Sequence, residues 1–276
     1  MPVRPTTRKL FVRDTTLAAD IRGEGSPLLL IHGGGEDATM LAAQAESLAA
    51  AGYQVTAYDR RGTGRSGRDS WPGGGAAQHA DDARALIEAV GLDSPTVVGV
   101  SSGAVIALAL AARHPRAVGR VVAWEPPALG VVPGGGLAQR VLMVPSRRHL
   151  RRHPSDYVGA QAVLLKLILG RPVTVDDPAL AATRANAEAM IRDEPGIPTY
   201  RLRRRDLAGV DITVGLGSET IPPIRIAARR ITSWTGRPPV RGTGEHEVYL
   251  SDPSVLTGIV ERGRPRDRTE RDHNDD

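Results

Sequence analysis

The sequence predicts an α/β fold: a mostly parallel, doubly wound sheet with an inserted helical cap. Three observations predict it. Short apolar runs of strand length alternate with longer helix-like stretches along most of the 276 residues. A glycine run, His32-Gly33-Gly34-Gly35, follows directly on one apolar run. A Gly-x-Ser-x-Gly motif, Gly99-Val100-Ser101-Ser102-Gly103, joins another apolar run to a helix-like stretch.

The elements follow in order. Lys9–Arg13 and Leu17–Arg22 read as an opening hairpin, and Leu28–Ile31 as the third strand. Ala38–Ala51 is a helix ended by Gly52, and Gln54–Tyr58 is the fourth strand. Trp71–Gly75 is a loop, and Ala76–Val90 is a helix stopped at Gly91. Pro95–Val100 is a short buried strand, followed by an Ala- and Leu-rich helix over Ser102–His114. Val118–Trp124 is the sixth strand, and residues 1–127 form the first part of the core.

After Glu125-Pro126-Pro127 the rhythm changes. Residues 128–205 hold a Gly-rich piece, Val132–Gly136, and helical stretches such as Asp156–Gly170 and Pro178–Asp193, with no strand signal between them. They are expected to form a mobile helical cap. Ligands bind at the carboxyl edge of an open α/β sheet, so an insertion there shapes the pocket. The core resumes over 206–262: Ile212–Leu216 as strand seven, a helix over Ile221–Ile231, a short strand Pro239–Arg241, and a last helix Pro253–Arg262. Residues 263–276 mix both charge signs with almost no apolar side chains and are expected to be disordered.

Composition narrows the function classes. Aromatic residues make up 3% of the chain, so the core is expected to be built from Ala, Val, Leu and Ile. There is no cysteine, hence no disulfide and no thiol nucleophile. No run of 18 apolar residues occurs, so no membrane span or membrane partner is expected. The N-terminal stretch lacks an apolar signal core, which points to a cytoplasmic enzyme. The net charge is +5, carried almost wholly by arginine. The arginine runs lack interleaved aromatics for stacking, so nucleic acid is not an expected partner; a small-molecule substrate is.

The chemistry lies in the two motifs. A serine at a strand-to-helix junction sits on a sharp turn with its hydroxyl presented, which marks Ser101 as a nucleophile. Glycines after the Leu28–Ile31 strand let backbone N–H groups turn toward a ligand. Gly34 N–H and Ser102 N–H are the expected oxyanion donors, with Gly35 as the alternative to Gly34. No cofactor is expected. Gly62–Gly67 (GTGRSG) lacks the Gly-Lys-Ser/Thr of a phosphate loop, and His149 and His153 have no third metal ligand nearby.

LLLIHGGG, then YDRRGTGRS over Tyr58–Ser66, then GVSSG, then Gly244-Glu245-His246 occur in an order that resembles the α/β-hydrolase superfamily. The match is to its serine-nucleophile branch with a helical cap after strand six. The resemblance spans the chain except about 126–205 and the last dozen residues. It implies that His246, in a Gly-rich loop before the last helix, is the general base, and that His32 is structural. The acid that orients His246 is either Glu125, at the end of strand six, or Glu219, in the loop after strand seven where most of the superfamily keeps it. Glu125 is preferred, because a carboxylate at the end of a buried strand needs a partner to offset its desolvation. A serine nucleophile implies cleavage of an ester, lactone or related acyl bond through an acyl-enzyme. The alternatives are acyl transfer or a non-hydrolytic, ligand-binding or lyase-type use of the same fold.

Overall fold

The computed structural model describes residues 4–169, 171–174 and 176–262. Its eight strands are β1 (Thr6–Val12), β2 (Thr15–Arg22), β3 (Ser26–Ile31), β4 (Tyr53–Tyr58), β5 (Thr96–Val100), β6 (Arg120–Trp124), β7 (Ile212–Leu216) and β8 (Val240–Arg241). They form one sheet in the order β1-β2-β4-β3-β5-β6-β7-β8. β1 and β2 pair antiparallel, as do β2 and β4, and every pairing from β4 through β8 is parallel.

Successive strand residues face opposite sides of a sheet, and this alternation divides the core. Leu29, Ile31, Val97, Val121 and Ala123 join one apolar cluster. Leu28, Leu30, Val98, Val100, Val122 and Trp124 join the other. The first cluster packs against helices α2 (Gly75–Val90), α3 (Ser102–Arg113) and α9 (Pro222–Thr235). The second packs against α1 (Ala42–Ala50), α10 (Val248–Ser251) and α11 (Pro253–Arg262). Helix α3 is buried continuously from Ser102 to Ala111, which explains why its sequence carries no polar stripe.

Between β6 and β7 the described residues hold no strand. The segment consists of α4 (Gly135–Leu142), α5 (Val144–Arg152), α6 (Tyr157–Leu169), α7 (Pro178–Thr183) and α8 (Ala187–Arg192), with single 3₁₀ turns between and after them. Met143, Ala160, Leu164 and Ile191 form a small cluster of their own here.

Several boundaries differ from the sequence reading. The strands of the hairpin begin earlier, at Thr6 and Thr15, since threonine suits a pleated edge. Helix α1 begins at Ala42 rather than Ala38. The Asp59 carboxylate accepts the Ala38 N–H at 2.9 Å and Asp37 accepts the Thr39 N–H at 3.0 Å, which holds 37–41 in a turn. The helix expected over Pro178–Asp193 is broken at Arg184–Asn186, where Asn186 turns to bond the core. The Gly-rich piece leads into α4 and α5, a stretch over which the sequence predicts no specific helix. The expected tail at 263–276 lies outside the described residues. No helix among the described residues is long and apolar enough to cross a membrane.

Candidate active site

The parallel strands end together, and their carboxyl ends carry the chemistry. β5 ends at Val100 and delivers Ser101 with φ 52° and ψ −123°, a backbone conformation that non-glycine residues rarely adopt. Both flanking glycines are sterically required. A Cβ on Gly99 would stand 2.2 Å from Gly103 O, and one on Gly103 would stand 2.3 Å from Ile31 O. The Ser101 N–H donates to Trp124 O at 3.0 Å, tying the turn to β6. Ser102 opens α3, so its N–H has no carbonyl one turn back to bond.

β6 delivers the next group. Glu125 follows Trp124 at φ 44° and is fully buried. Its Oε2 lies 2.7 Å from His246 Nδ1, and His246 Nε2 lies 2.9 Å from Ser101 Oγ. The loop after β8 brings His246 there, and Trp124 Nε1 holds the histidine's carbonyl at 2.9 Å. Burial opposes ionisation of Glu125. Hydrogen bonds from His246, Thr220 Oγ1 and the Gly217 N–H outweigh it and hold the carboxyl below the ordinary carboxylate range. Glu219, the other candidate acid, is exposed in the loop after β7, where its backbone N–H donates to Gly244 O at 3.2 Å. The carboxylate at the imidazole is Glu125.

β3 delivers His32 and the glycine run. His32 is buried, and its ring bonds to its own loop and to the loop after β4. Its Nδ1–H donates to Gly33 O at 2.8 Å, and its Nε2 accepts the Arg60 N–H at 3.1 Å. Burial, with the Arg60 charge beside it, keeps the ring well below its ordinary pKa, so it is neutral. Gly33 lies against the nucleophile, since a Cβ on it would stand 3.2 Å from Ser101 Cβ. The structure thus gathers Ser101, Ser102, Gly33, Glu125 and His246 at one edge of the sheet, with Gly34 and Gly35 next in the same loop.

Four residues of this region were not singled out from the sequence. Thr220 supports Glu125. Glu36 accepts the Gly33 N–H at 2.8 Å and the Tyr249 hydroxyl at 2.6 Å, linking the glycine loop to the helix just past His246. Burial pushes the Glu36 carboxyl up to about 7, against the pull of those two bonds. Asn186 donates to Gly35 O and Glu36 O, each at 3.2 Å, and accepts the Gly64 N–H at 2.9 Å. Glu194 ion-pairs with Arg60 in the interior. The carboxylate three residues after Gly33 was a readable signal for Glu36. Asn186 and Glu194 lie in a segment with no motif. Among the described residues, no group of three His, Asp or Glu side chains is arranged to hold a metal ion.

Comparison with known proteins bears on the fold and the family. Residues 26–142 match the sequence model of the alpha/beta hydrolase fold. A protein of Azorhizobium caulinodans, provisionally named carbamate hydrolase RutD, is 32% identical over 216 residues, which cover 78% of this chain and 77% of that one. The uncharacterized hydrolase YraK of Bacillus subtilis is 35% identical over 172 residues. That match takes in 58% of this chain and spans only 62% of the relative's length. The crystal structure of the enol-lactonase from Burkholderia xenovorans superposes with a TM-score of 0.66 at 21% identity, covering 93% of this chain and 99% of that one. At that identity the likeness is one of fold.

Proposed function

The chain belongs to the α/β-hydrolase family and is a hydrolase, and from that premise we propose that it cleaves an ester, lactone or related acyl bond of a small molecule through a Ser101 acyl-enzyme. One observation carries the reading: a single imidazole bridges a strained serine and a buried, ionised carboxylate, at 2.9 and 2.7 Å. His246 Nε2 accepts the Ser101 proton as Oγ attacks the acyl carbon. Nδ1–H stays on the imidazole, and Glu125 stabilises the positive charge that forms. The Gly34 and Ser102 N–H groups take the oxyanion, a contribution of about 3 to 4 kcal/mol per donor in comparable sites. Collapse passes the proton from His246 to the leaving group. Water then adds to the acyl-enzyme with His246 again as base, and the acid departs.

Residues 128–205 serve as the substrate cap in this reading. Side chains of Thr183, Met190 and Glu194 lie against Gly34 and Gly35, so the bound acyl group meets them. The carbamate in the name of the Azorhizobium relative falls in the same chemical class, since a carbamate carbonyl is attacked in the same way.

A fluorophosphonate probe tests the proposal. It is expected to label Ser101, as mapped by peptide mass, and Ser101→Ala is expected to fold, resist the probe and lose at least about three orders of magnitude in kcat on activated esters. Near-full activity in Ser101→Ala would remove the nucleophile assignment. Ser102→Ala is expected to be mild. A panel of p-nitrophenyl esters, lactones and aryl carbamates then ranks the acyl class.

A further inference from the structure

The Gly33–Gly34 peptide is held from behind. Its carbonyl oxygen accepts two hydrogen bonds, from His32 Nδ1–H at 2.8 Å and from Arg60 Nη2 at 2.9 Å. A carbonyl has two lone pairs, and both are used. Arg60 comes from the loop after β4 and is 1% exposed. Its charge is balanced by Glu194, which reaches in from the inserted helical segment. The Gly33 N–H is fixed as well, by Glu36 Oε2 at 2.8 Å.

The peptide bond between Gly33 and Gly34 is trans. In a planar trans peptide the C=O and the following N–H point in opposite directions. Anchoring Gly33 O on His32 and Arg60 therefore turns the Gly34 N–H to the far side. Two glycines in succession would otherwise let this peptide rotate, since neither residue carries a Cβ to resist it. A rotated peptide would aim a carbonyl where the N–H should be, and a carbonyl repels an oxyanion. His32 alone supplies one anchor. Arg60 supplies the second, and as a charged donor it is the stronger.

We propose that Arg60 is a positioning residue for the oxyanion hole: with His32 it anchors the Gly33 carbonyl and so keeps the Gly34 N–H facing the carbon that Ser101 attacks. The inference rests on the reading of Gly34 as an oxyanion donor. It also gives the inserted segment a role beyond lining the pocket. Glu194 neutralises Arg60 in the interior, where an unpaired guanidinium would be costly to keep. Oxyanion geometry is thereby tied to the docking of the 186–197 stretch.

The test uses the full chain and an alkyl boronic acid, which forms a tetrahedral anionic adduct on an active serine. Arg60→Met keeps length and removes all donors. Because it strands Glu194 without a partner, the double variant Arg60→Met/Glu194→Met is made beside it, together with Glu194→Met alone. Active sites are counted by fluorophosphonate labelling carried to completion. Measured against Glu194→Met, which carries the same change beside the acyl group, the double variant is expected to lose roughly 10- to 100-fold in kcat per labelled site, with KM of a p-nitrophenyl ester within about threefold, and to bind the boronate weaker by the same factor. A purely structural role would lower the number of labelled sites and leave kcat per site and boronate affinity alone. Wild-type boronate affinity in the double variant overturns the inference. So does a loss in Glu194→Met alone that equals the loss in the double variant. If the wild type itself binds the boronate no more tightly than its ester substrate, the oxyanion-hole reading fails first, which distinguishes the two failures.

Discussion

Two carboxylates compete for one imidazole nitrogen in this sequence, and burial separates them. Glu125 is fully buried among three hydrogen-bond donors, whereas Glu219 stands in solvent. A group that orients the imidazole and stabilises its charge acts in the transition state, so its loss falls on kcat. Glu125→Gln is expected to cost about two to four orders of magnitude in kcat with little change in KM. Glu219→Gln is expected to cost less than about tenfold, and steady-state kinetics on one activated ester compare the two directly. A reversed order would move the acid role to Glu219. Ser101 and His246 were legible because the serine's turn forces a glycine pattern and the histidine stands in a glycine-rich loop near the end of the fold. Glu125 was legible as a charge at the end of an apolar run. Thr220, which supports it, was not, because one hydroxyl in a loop carries no periodicity and no motif.

At the scale of elements, the strands were legible from their apolar alternation, and the segment between β6 and β7 was legible only as helical. Its two halves differ. Helices α4 to α6 pack around Met143, Ala160 and Leu164, a small cluster that Ile191 of α8 completes. The stretch from Asn186 to Ile197 is pinned to the core by buried polar bonds: Asn186 on the glycine loop, Asp193 on His79 at 2.6 Å, and Glu194 on Arg60. Burial raises the Asp193 carboxyl, but His79 outweighs it and holds it below its ordinary range. These pins are single residues scattered through a motif-free stretch, so the sequence predicts a helical insertion without indicating where it is fastened. Hydrogen exchange is expected to be fast in α4 and α5 and slow in 187–197, with β5 and β6 slowest. Uniform protection from 135 to 197 would count against a cap that moves in part. Asp193→Asn, which weakens one pin, is expected to speed exchange in α8 before it affects β5.

For the molecule as a whole, two buried groups set opposing pH responses. Glu36 titrates near 7 in the fold against 4.5 as its ordinary value, so its share of stability is complete below about 4.5 and is lost as pH rises toward 7. His32 is held well below 6.5, so its share is complete above about 6.5 and is lost as pH falls. Each pKa unit corresponds to about 1.4 kcal/mol. The two responses offset each other, and the melting temperature is expected to be nearly flat from pH 7 to 5. Below about pH 4 it should fall, as Glu125, Asp20, Asp81 and Asp193, all held low in the fold, take up protons. Glu36→Gln removes one side of the balance. Its melting temperature is expected to fall steadily on acidification from pH 6.5, and a profile as flat as the wild type's would refute the balance. The outer rim of the sheet has a consequence of a different kind. On one side the sheet stops at two-residue β8, too short to template anything, while on the other it stops at seven-residue β1, whose Phe11 is 74% exposed. Lys9, two residues before it, shares its face of the open strand, and Arg8 is exposed on the opposite face. Two molecules meeting rim to rim would bring cation against cation, a guard against fibrous growth that added salt erodes as the screening length shrinks from about 10 Å at 0.1 M toward 3 Å at 1 M. Aggregation at a fixed protein concentration is therefore expected to quicken as salt is raised, as light scattering would show.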